Sequence, residues 1–253
     1  MNKATLSVII VAKNEAHQIR ECIDSVAFAD EVLVLDSGSS DDTVAKAREA
    51  GATVHVTDWP GFGPQKARGV ALASCDWVLV LDADERIGAA LREEIEAVLS
   101  GPAADGYRLP RRSSLCGTFI EHGGWRPDYT LRLVRREVAG FSKHVVHEHM
   151  TCRGSTRDLS QRIVHYSYRD LDDVLAKLNR YSRDGATELS KRGITSGFAR
   201  PLFSGMWSFV RTYLLRQGFR DGKMGLVLAI YNAETTYYKY LRLWMQGRGQ
   251  GDK

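Results

Sequence analysis

Asp82-Ala83-Asp84-Glu85 is the part of this 253-residue chain whose residue types and spacing most directly imply chemistry. Carboxylates at i and i+2 in an extended run point the same way. Asp82 and Asp84 can therefore face one hard cation, Mg²⁺ or Mn²⁺, and the phosphate oxygens it bridges. Without such a cation the cluster repels itself. Three other stretches place polar groups at comparable points: Lys13-Asn14-Glu15, Asp36 followed by SGSSDDT, and Lys66 and Arg68 within QKARG. The turn after Asp36 suits ribose and base contacts, although an aspartate there also serves as a turn or helix cap. Lys66 and Arg68 are candidates for base, ribose or phosphate contacts, or for a solvated basic helix face. A G-x-G-x-x-G dinucleotide turn is absent, the first run leading instead into VAKNEA, and no P-loop exists. A phosphatase D-x-D pair would sit on the first strand and be followed by Thr, whereas this one is fourth and followed by Glu-Arg.

The elements that must position these groups alternate. Leu6–Ala12, Glu31–Asp36, Thr53–Thr57 and Trp77–Asp82 are short, nearly continuous Val/Ile/Leu runs, the pattern of parallel strands covered on both faces. Ile19, Cys22, Ile23 and Val26 form one helical stripe, and Leu91, Ile95, Val98 and Leu99 another. A helix begins after Ser40 and stops at Gly51, and Gln65–Ala73 makes a further one. This series predicts a mostly parallel α/β sheet with a crevice at the carboxyl ends of its strands, where all four polar stretches fall. Beyond Pro102, strands are expected at Gly106–Pro110, Thr130–Arg135 and Gln161–Tyr166. Helices follow from Asp170 to Gly193, at Pro201–Gly218 and at Lys223–Gln246. The expected division is 1–168 for the α/β body and 169–253 for a helical region.

Composition excludes other classes. With 23 Gly and 6 Pro and no fixed period, the chain is neither collagenous nor low-complexity. No apolar run approaches the roughly 20 residues of a spanning helix, and Lys13 follows Met1–Ala12 too closely for a signal peptide, which argues against secretion. Cys22, Cys75, Cys116 and Cys152 form no C-x-x-C pair and suit a reducing compartment. The net charge of +4 hides an asymmetry, since Pro201–Lys253 holds eight Lys/Arg against three Asp/Glu and ten of the 23 aromatic residues. A basic, aromatic-rich end suggests an anionic surface partner, membrane or nucleic acid, or else a helical tail packed on the body.

SVIIVAKNEA, VLVLDSGSSDDT, GFGPQKARG and DWVLVLDADE, in that order and spacing, resemble the nucleotide-sugar-binding half of a family 2 glycosyltransferase with a GT-A fold. HGGWRPDYTLRLVRRE, HVVHEH and VHYSYRDLDDVLAKLNRY resemble the subgroup that adds glucose to the inner core of bacterial lipopolysaccharide. The resemblance implies a Rossmann-like GT-A domain with a C-terminal helical extension. It implies inverting, metal-dependent transfer of a hexose from a UDP-sugar to a lipopolysaccharide core acceptor, with a family 2 transferase for another glycan, lipid or peptide acceptor as the alternative. A non-catalytic sugar- or membrane-binding protein of the same fold is the other alternative, though it has no need of Asp82, Asp84 and Asp128 together.

By the same resemblance, Asp84 is the main metal ligand, with His147 added from beyond the acceptor loop and Asp82 near ribose or metal. Lys13, Glu15 and Asp36 line the nucleotide pocket. PDYTLRL matches the acidic motif, often Glu-Asp, that in this family precedes a run ending in arginine, with Asp128 as base, Arg132 as the arginine and Pro127 replacing the first acid. Glu148 is the competing base. Trp125 and Tyr129 stack on sugar faces, with Arg132 on the acceptor side. An acceptor on lipid implies a cytoplasmic enzyme held peripherally on the inner face of the inner membrane through residues 200–246, with an anionic membrane rather than nucleic acid as the surface partner. An oligomer is compatible with the sequence.

Overall fold

The computed structural model describes residues 3–142 and 149–248. They contain, in order, β1 (Leu6–Ala12), α1 (Ile19–Asp24), β2 (Glu31–Asp36), α2 (Thr43–Glu49), β3 (Thr53–Val56), α3 (Phe62–Leu72), β4 (Trp77–Asp82), β5 (Glu85–Ile87) and α4 (Ala89–Ser100). Next come β6 (Gly106–Leu115), β7 (Thr118–Phe119), β8 (Tyr129–Arg135), β9 (Ala139–Phe141), β10 (Met150–Cys152), β11 (Thr156–Asp158) and β12 (Ile163–Tyr168). Three helices close the chain: α5 (Leu171–Lys191), α6 (Ala199–Val210) and α7 (Gly222–Arg248). The chain divides into two compact units: residues 1–111 with 128–165, and residues 112–127 with 166–253.

In the first unit β3, β2, β1 and β4 are parallel neighbours, and β8 and then β6 extend the sheet antiparallel. All seven residues of β1 are buried, as the LSVIIVA run requires of a strand covered on both faces. Strand periodicity sorts them between two layers. Val8, Ile10, Leu79 and Leu81 pack with Ile19 and Ile23 of α1 and Leu91 and Ile95 of α4. Ile9, Val11, Leu33, Leu35, Val78 and Val80 face the opposite layer, with Val70 of α3 against them. The register aligns Ala12 with Asp36 and Val11 with Asp82, so the three strands end level and deliver their polar successors to one edge.

α3 lies unusually close to that sheet. A Cβ on Gly69 would fall 2.4 Å from Ile9 Cγ2 and 3.1 Å from Leu35 Cδ2, so glycine is needed there for the helix to seat. The three-residue β5, too short for a periodic signal, pairs antiparallel with β12 and aligns Glu85 with His165.

The second unit is built on α5, α6 and α7. Asp170 caps α5 by accepting from the Asp173 amide at 2.8 Å. Val174 and Leu178 of α5 pack with Leu115, Ile120, Tyr168, Leu228 and Tyr231. The helix expected over Pro201–Gly218 ends as α-helix at Val210 and continues as a five-residue π-helical turn over Arg211–Leu215. Residues 112–127, read from the sequence as part of the α/β body, belong to this unit, which begins again at Tyr166. Among the described residues, no helix is long and apolar enough to cross a membrane.

Candidate active site

The site is assembled at the carboxyl edge of β1, β2 and β4. After β1, Asn14 takes a positive φ of 57°; its amide donates to Ser39 Oγ at 2.8 Å and its Oδ1 accepts from the Ser40 amide at 2.8 Å. The loops after β1 and β2 are thereby tied together. Glu15 adds a bond from its amide to Thr43 Oγ1, and its carboxylate accepts from Gln18 Nε2 at 2.7 Å. Lys13 is exposed beside them. Asp36 is fully buried, and its carboxylate accepts from the Gly38 and Ser39 amides at 3.0 and 2.9 Å and from the Ser39 hydroxyl. Its carboxylate therefore organises the turn.

α3 brings two polar side chains over this edge. The buried Gln65 amide donates to Thr57 Oγ1 at 2.6 Å and Ser37 Oγ at 3.2 Å, and its Oε1 accepts from Arg68. Arg68 also pairs with Asp58 at 3.0 Å. One position on from Gln65, Lys66 Nζ stands 2.7 Å from Asp82 Oδ1.

Asp82 is the centre of a charge network that extends into the antiparallel half of the sheet. Arg132 of β8 reaches Asp82 Oδ2 at 3.0 Å and Glu85 Oε1 at 2.7 Å, and donates to the Val80 carbonyl. Glu85 is fully buried; its Oε2 accepts from the Asp82 amide, and Arg111 approaches its Oε1 at 3.6 Å. The same Arg111 holds Asp128 Oδ2 with two bonds, from Nη2 at 2.6 Å and Nε at 2.9 Å. Burial opposes ionisation of Asp82, but the cations of Lys66 and Arg132 override it and hold the carboxyl well below the usual carboxylate range. For Arg132, burial works against the charge, yet Glu85 and then Asp82 raise its pKa and keep it protonated.

Three cations thus meet three carboxylates: Lys66, Arg111 and Arg132 against Asp82, Glu85 and Asp128. Asp84 stands apart from this balance. Its Oδ2 lies 3.3 Å from His165 Nε2, while Oδ1 is buried with no hydrogen-bond partner among the described residues. An orphaned carboxylate oxygen is costly unless something positive meets it. A cavity of about 620 Å³ adjoins the network, lined by Lys66, Asp82, Arg111, Tyr129, Arg132 and His149 among others. Asp84, Lys13, Glu15, Asp36 and Arg68 are not among its lining residues.

The family profile described as Glycosyl transferase family 2 matches residues 7–163, well over half of the chain and the whole of this edge. The chain belongs to glycosyl transferase family 2. Its α/β sheet is accordingly the GT-A arrangement. An uncharacterized glycosyltransferase of Rickettsia conorii is 30% identical over 96% of this chain and 91% of its own length. The lipopolysaccharide core biosynthesis glycosyltransferase LpsC of Rhizobium meliloti is 28% identical over 96% of this chain and 93% of its own. A crystal structure of glucosyl-3-phosphoglycerate synthase from Mycobacterium tuberculosis, with Mn²⁺, UDP and glucosyl-3-phosphoglycerate, is 32% identical over 45% of each chain at a TM-score of 0.36, too partial a likeness to transfer geometry.

Of the residues expected at the site of this glycosyltransferase, Lys66, Asp82, Asp128 and Arg132 share one connected network. Arg132, expected on the acceptor side, has its guanidinium against Asp82 and Glu85. Tyr129 is half-exposed and lines the cavity. Trp125 belongs to the second unit, where its ring stacks on Tyr168 at 5.7 Å. His147 and Glu148 lie outside the described residues. Among the described residues no group of three or more His, Cys, Asp or Glu side chains converges to hold a metal. A divalent cation nevertheless fits at Asp84, where a buried carboxylate oxygen lacks a partner and an imidazole nitrogen stands beside the other oxygen. Sequence reasoning missed Glu85, Arg111 and His165. Glu85 follows the D-x-D triplet directly and His165 is the second residue of the VHYSY stretch, so both were in view, but nothing local marks them as partners of Asp82 and Asp84.

Proposed function

We propose that this family 2 glycosyltransferase inverts the anomeric centre of a UDP-hexose, glucose being the sugar its subgroup resemblance favours, while passing it to a core sugar of bacterial lipopolysaccharide. The observation that carries the metal-dependent part of this reading is the lone Asp84. Lys66, Arg111 and Arg132 are matched by Asp82, Glu85 and Asp128, so a donor diphosphate brings negative charge that this network does not offset. Asp84 and His165 would hold a divalent cation, Mg²⁺ or Mn²⁺, and its chemistry would be to balance the charge of the departing diphosphate. His147, the ligand suggested by the sequence, would complete it.

Inverting transfer is one in-line displacement, in which the acceptor hydroxyl gives up its proton as the diphosphate leaves. Asp128 is the base we assign. Both bonds from Arg111 fall on Oδ2, which leaves Oδ1 to accept a proton and fixes the carboxylate's orientation. Lys66 and Arg132 keep Asp82 ionised and orient it at the end of β4, toward the donor. Lys13, Glu15 and Arg68 flank the nucleotide, with Asp36 shaping the turn beneath it. Tyr129 offers an aromatic face to the acceptor ring. The full-length similarity to the lipopolysaccharide core enzyme of Rhizobium meliloti supports the acceptor class. An acceptor anchored in lipid would bring this enzyme, as a peripheral protein, to the cytoplasmic face of the inner membrane.

The test is a matrix of nucleotide-sugars against lipopolysaccharides truncated at successive core sugars, scored by UDP release and by linkage analysis of the product. Transfer from UDP-glucose to a heptose-terminated core is expected. Transfer only to a soluble glycan or peptide would place the acceptor elsewhere within the family. Phosphate release without any acceptor would overturn glycosyl transfer itself.

A further inference from the structure

The α6–α7 hairpin has its polarity reversed. The α6 residues that face inward are Pro201, Gly205 and Ser208, followed by Thr212 in the π-helical turn. A Cβ on Gly205 would fall 3.2 Å from both the Ala233 carbonyl oxygen and Tyr237 Cβ, so the two helices touch backbone to backbone. Ser208 Oγ donates to the Asn232 carbonyl at 3.1 Å, Asn232 Nδ2 to Thr212 Oγ1 at 3.3 Å, and Thr236 Oγ1 to Ser208 Oγ at 3.3 Å. Small residues and side-chain hydrogen bonds thus hold the seam, while Leu202, Phe203, Met206, Trp207, Leu214 and Leu215 are each more than half exposed. At the π-turn end of the hairpin, Leu226, Val227 and Ile230 of α7 continue the apolar surface. A helix pair in water normally does the reverse; small residues at the contact and large apolar ones outside are the arrangement of helices in lipid.

The charges around this surface have one sign. From Ala199 to Ile230 the chain carries Arg200, Arg211, Arg216, Arg220 and Lys223 against one acid, Asp221. Asp221 is turned inward, accepting from the His122 amide at 2.8 Å and pairing with the His122 ring. Arg242, which the sequence placed on the same surface, instead donates to Asn179 Oδ1 and Ser182 Oγ of α5, and Tyr231 is buried against Tyr168. The candidate surface is therefore residues 198–230, shorter than the tail as a whole.

We infer that this surface enters the outer part of one leaflet of an anionic bilayer, its apolar side chains among the acyl chains and its arginines and Lys223 at the headgroup phosphates. The inference deepens the peripheral attachment implied by a lipid-anchored acceptor, but stands on the hairpin's own chemistry. Apolar burial supplies most of the binding and the basic residues select negative lipid. The hairpin lies in the interface and does not span, since Arg200 and Arg211 bound the apolar run of α6, Lys223 and Glu234 bound that of α7, and no described helix is long and apolar enough to cross.

The test is flotation of the full-length protein with vesicles of neutral phosphatidylcholine, with and without phosphatidylglycerol, across a salt series. Binding is expected only with the anionic lipid, with a blue shift of tryptophan emission that disappears in Trp207→Phe. Replacing Phe203, Met206 and Trp207 together by Ser should weaken binding by about tenfold or more, and Arg211→Glu with Lys223→Glu by at least about fivefold. All five positions are solvent-exposed, so circular dichroism should show wild-type folding. Failure of the folded wild-type protein to float at low salt overturns the inference. So does a concentration-dependent dimer that the three Ser substitutions abolish, because a second copy would then cover the surface. Glycosyl transfer from UDP-glucose to a deacylated, heptose-terminated core oligosaccharide, measured alongside, separates the two claims: loss of flotation with intact transfer rejects the membrane surface alone, and flotation without transfer rejects the assigned reaction alone.

Discussion

The two compact units solve opposite problems. The first buries every apolar residue of its central strand and collects its charge at one edge, where carboxylates and cations satisfy one another except at Asp84. The second has an apolar core around α5, but it buries small and polar residues between α6 and α7 and leaves the large apolar side chains of α6 outside. In both cases the feature that the unit leaves unsatisfied points to what it meets. An orphaned carboxylate oxygen calls for a cation, and an unburied apolar surface ringed by arginine calls for anionic lipid.

The largest expected effect breaks the first half of that contrast. Asp84→Ala should leave the fold intact and lower transfer by about 10³-fold or more, a loss of several kcal/mol in transition-state stabilisation. The same preparation should lose its binding of Mn²⁺ by calorimetry, as should His165→Ala in part. Undiminished activity in rigorously metal-free enzyme would mean that the orphan oxygen has another partner. Next comes Asp128→Asn, expected to cut turnover by about 10²–10⁴-fold with little change in donor affinity. If Glu148→Gln shows that loss and Asp128→Asn does not, the Arg111-held acid is a structural partner and the base lies on the other residue.

A third substitution tests whether the network is one unit. Glu85→Gln leaves Arg132 and Arg111 short of a buried counter-charge, which should cost about 3 kcal/mol of stability in urea unfolding. Because Arg111 still holds Asp128, the surviving folded enzyme should lose more in donor KM, through Asp82, than Asp128→Asn does. Equal stability of the variant and wild type would show that Glu85 is not needed to anchor the two guanidinium groups.

How much of this was legible in the chain depends on the kind of contact. β1, β2 and β4 could be read because strands covered on both faces are continuous apolar runs, and from their ends the positions of Lys13, Asp36 and Asp82 followed; β3 is instead a partly exposed edge strand. Gly69 could not be interpreted, although it sits in the quoted GFGPQKARG stretch, because the 2.4 Å approach to Ile9 is a tertiary fact. Arg132–Glu85, Arg111–Asp128 and His165–Asp84 depend on the antiparallel half of the sheet, whose pairing has no local pattern. The tail was read as apolar around much of α6, but composition alone does not say which face packs. Gly205, Ser208 and Thr212 lie at helical spacing, and that seam was the signal a hydrophobic reading overlooks. Gly69→Ala measures the tertiary fact directly: overpacking against Ile9 should cost about 1–3 kcal/mol and lower the urea midpoint, while Gly38→Ala, with nothing within 4 Å but a φ of +80°, would act through backbone strain alone.

The smallest effects test the reversed polarity, because they should invert the usual rank of core and surface substitutions. In an ordinary helix hairpin, replacing a large phenylalanine by serine is severe and replacing a serine by alanine is mild. Here Phe203 is 65% exposed and Ser208 is 7% exposed. Phe203→Ser should therefore change unfolding free energy by no more than about 0.5 kcal/mol in water, as expected of a surface position. Ser208→Ala should cost about 1 kcal/mol, since it removes the donor to the Asn232 carbonyl and the acceptor for Thr236. Adding anionic vesicles should reverse the order, for Phe203 then contributes to a bound state that its serine variant loses, whereas Ser208 keeps the same partners. If Phe203→Ser is the more damaging change in vesicle-free buffer, the apolar surface is a core after all and the contrast between the two units fails at its second half.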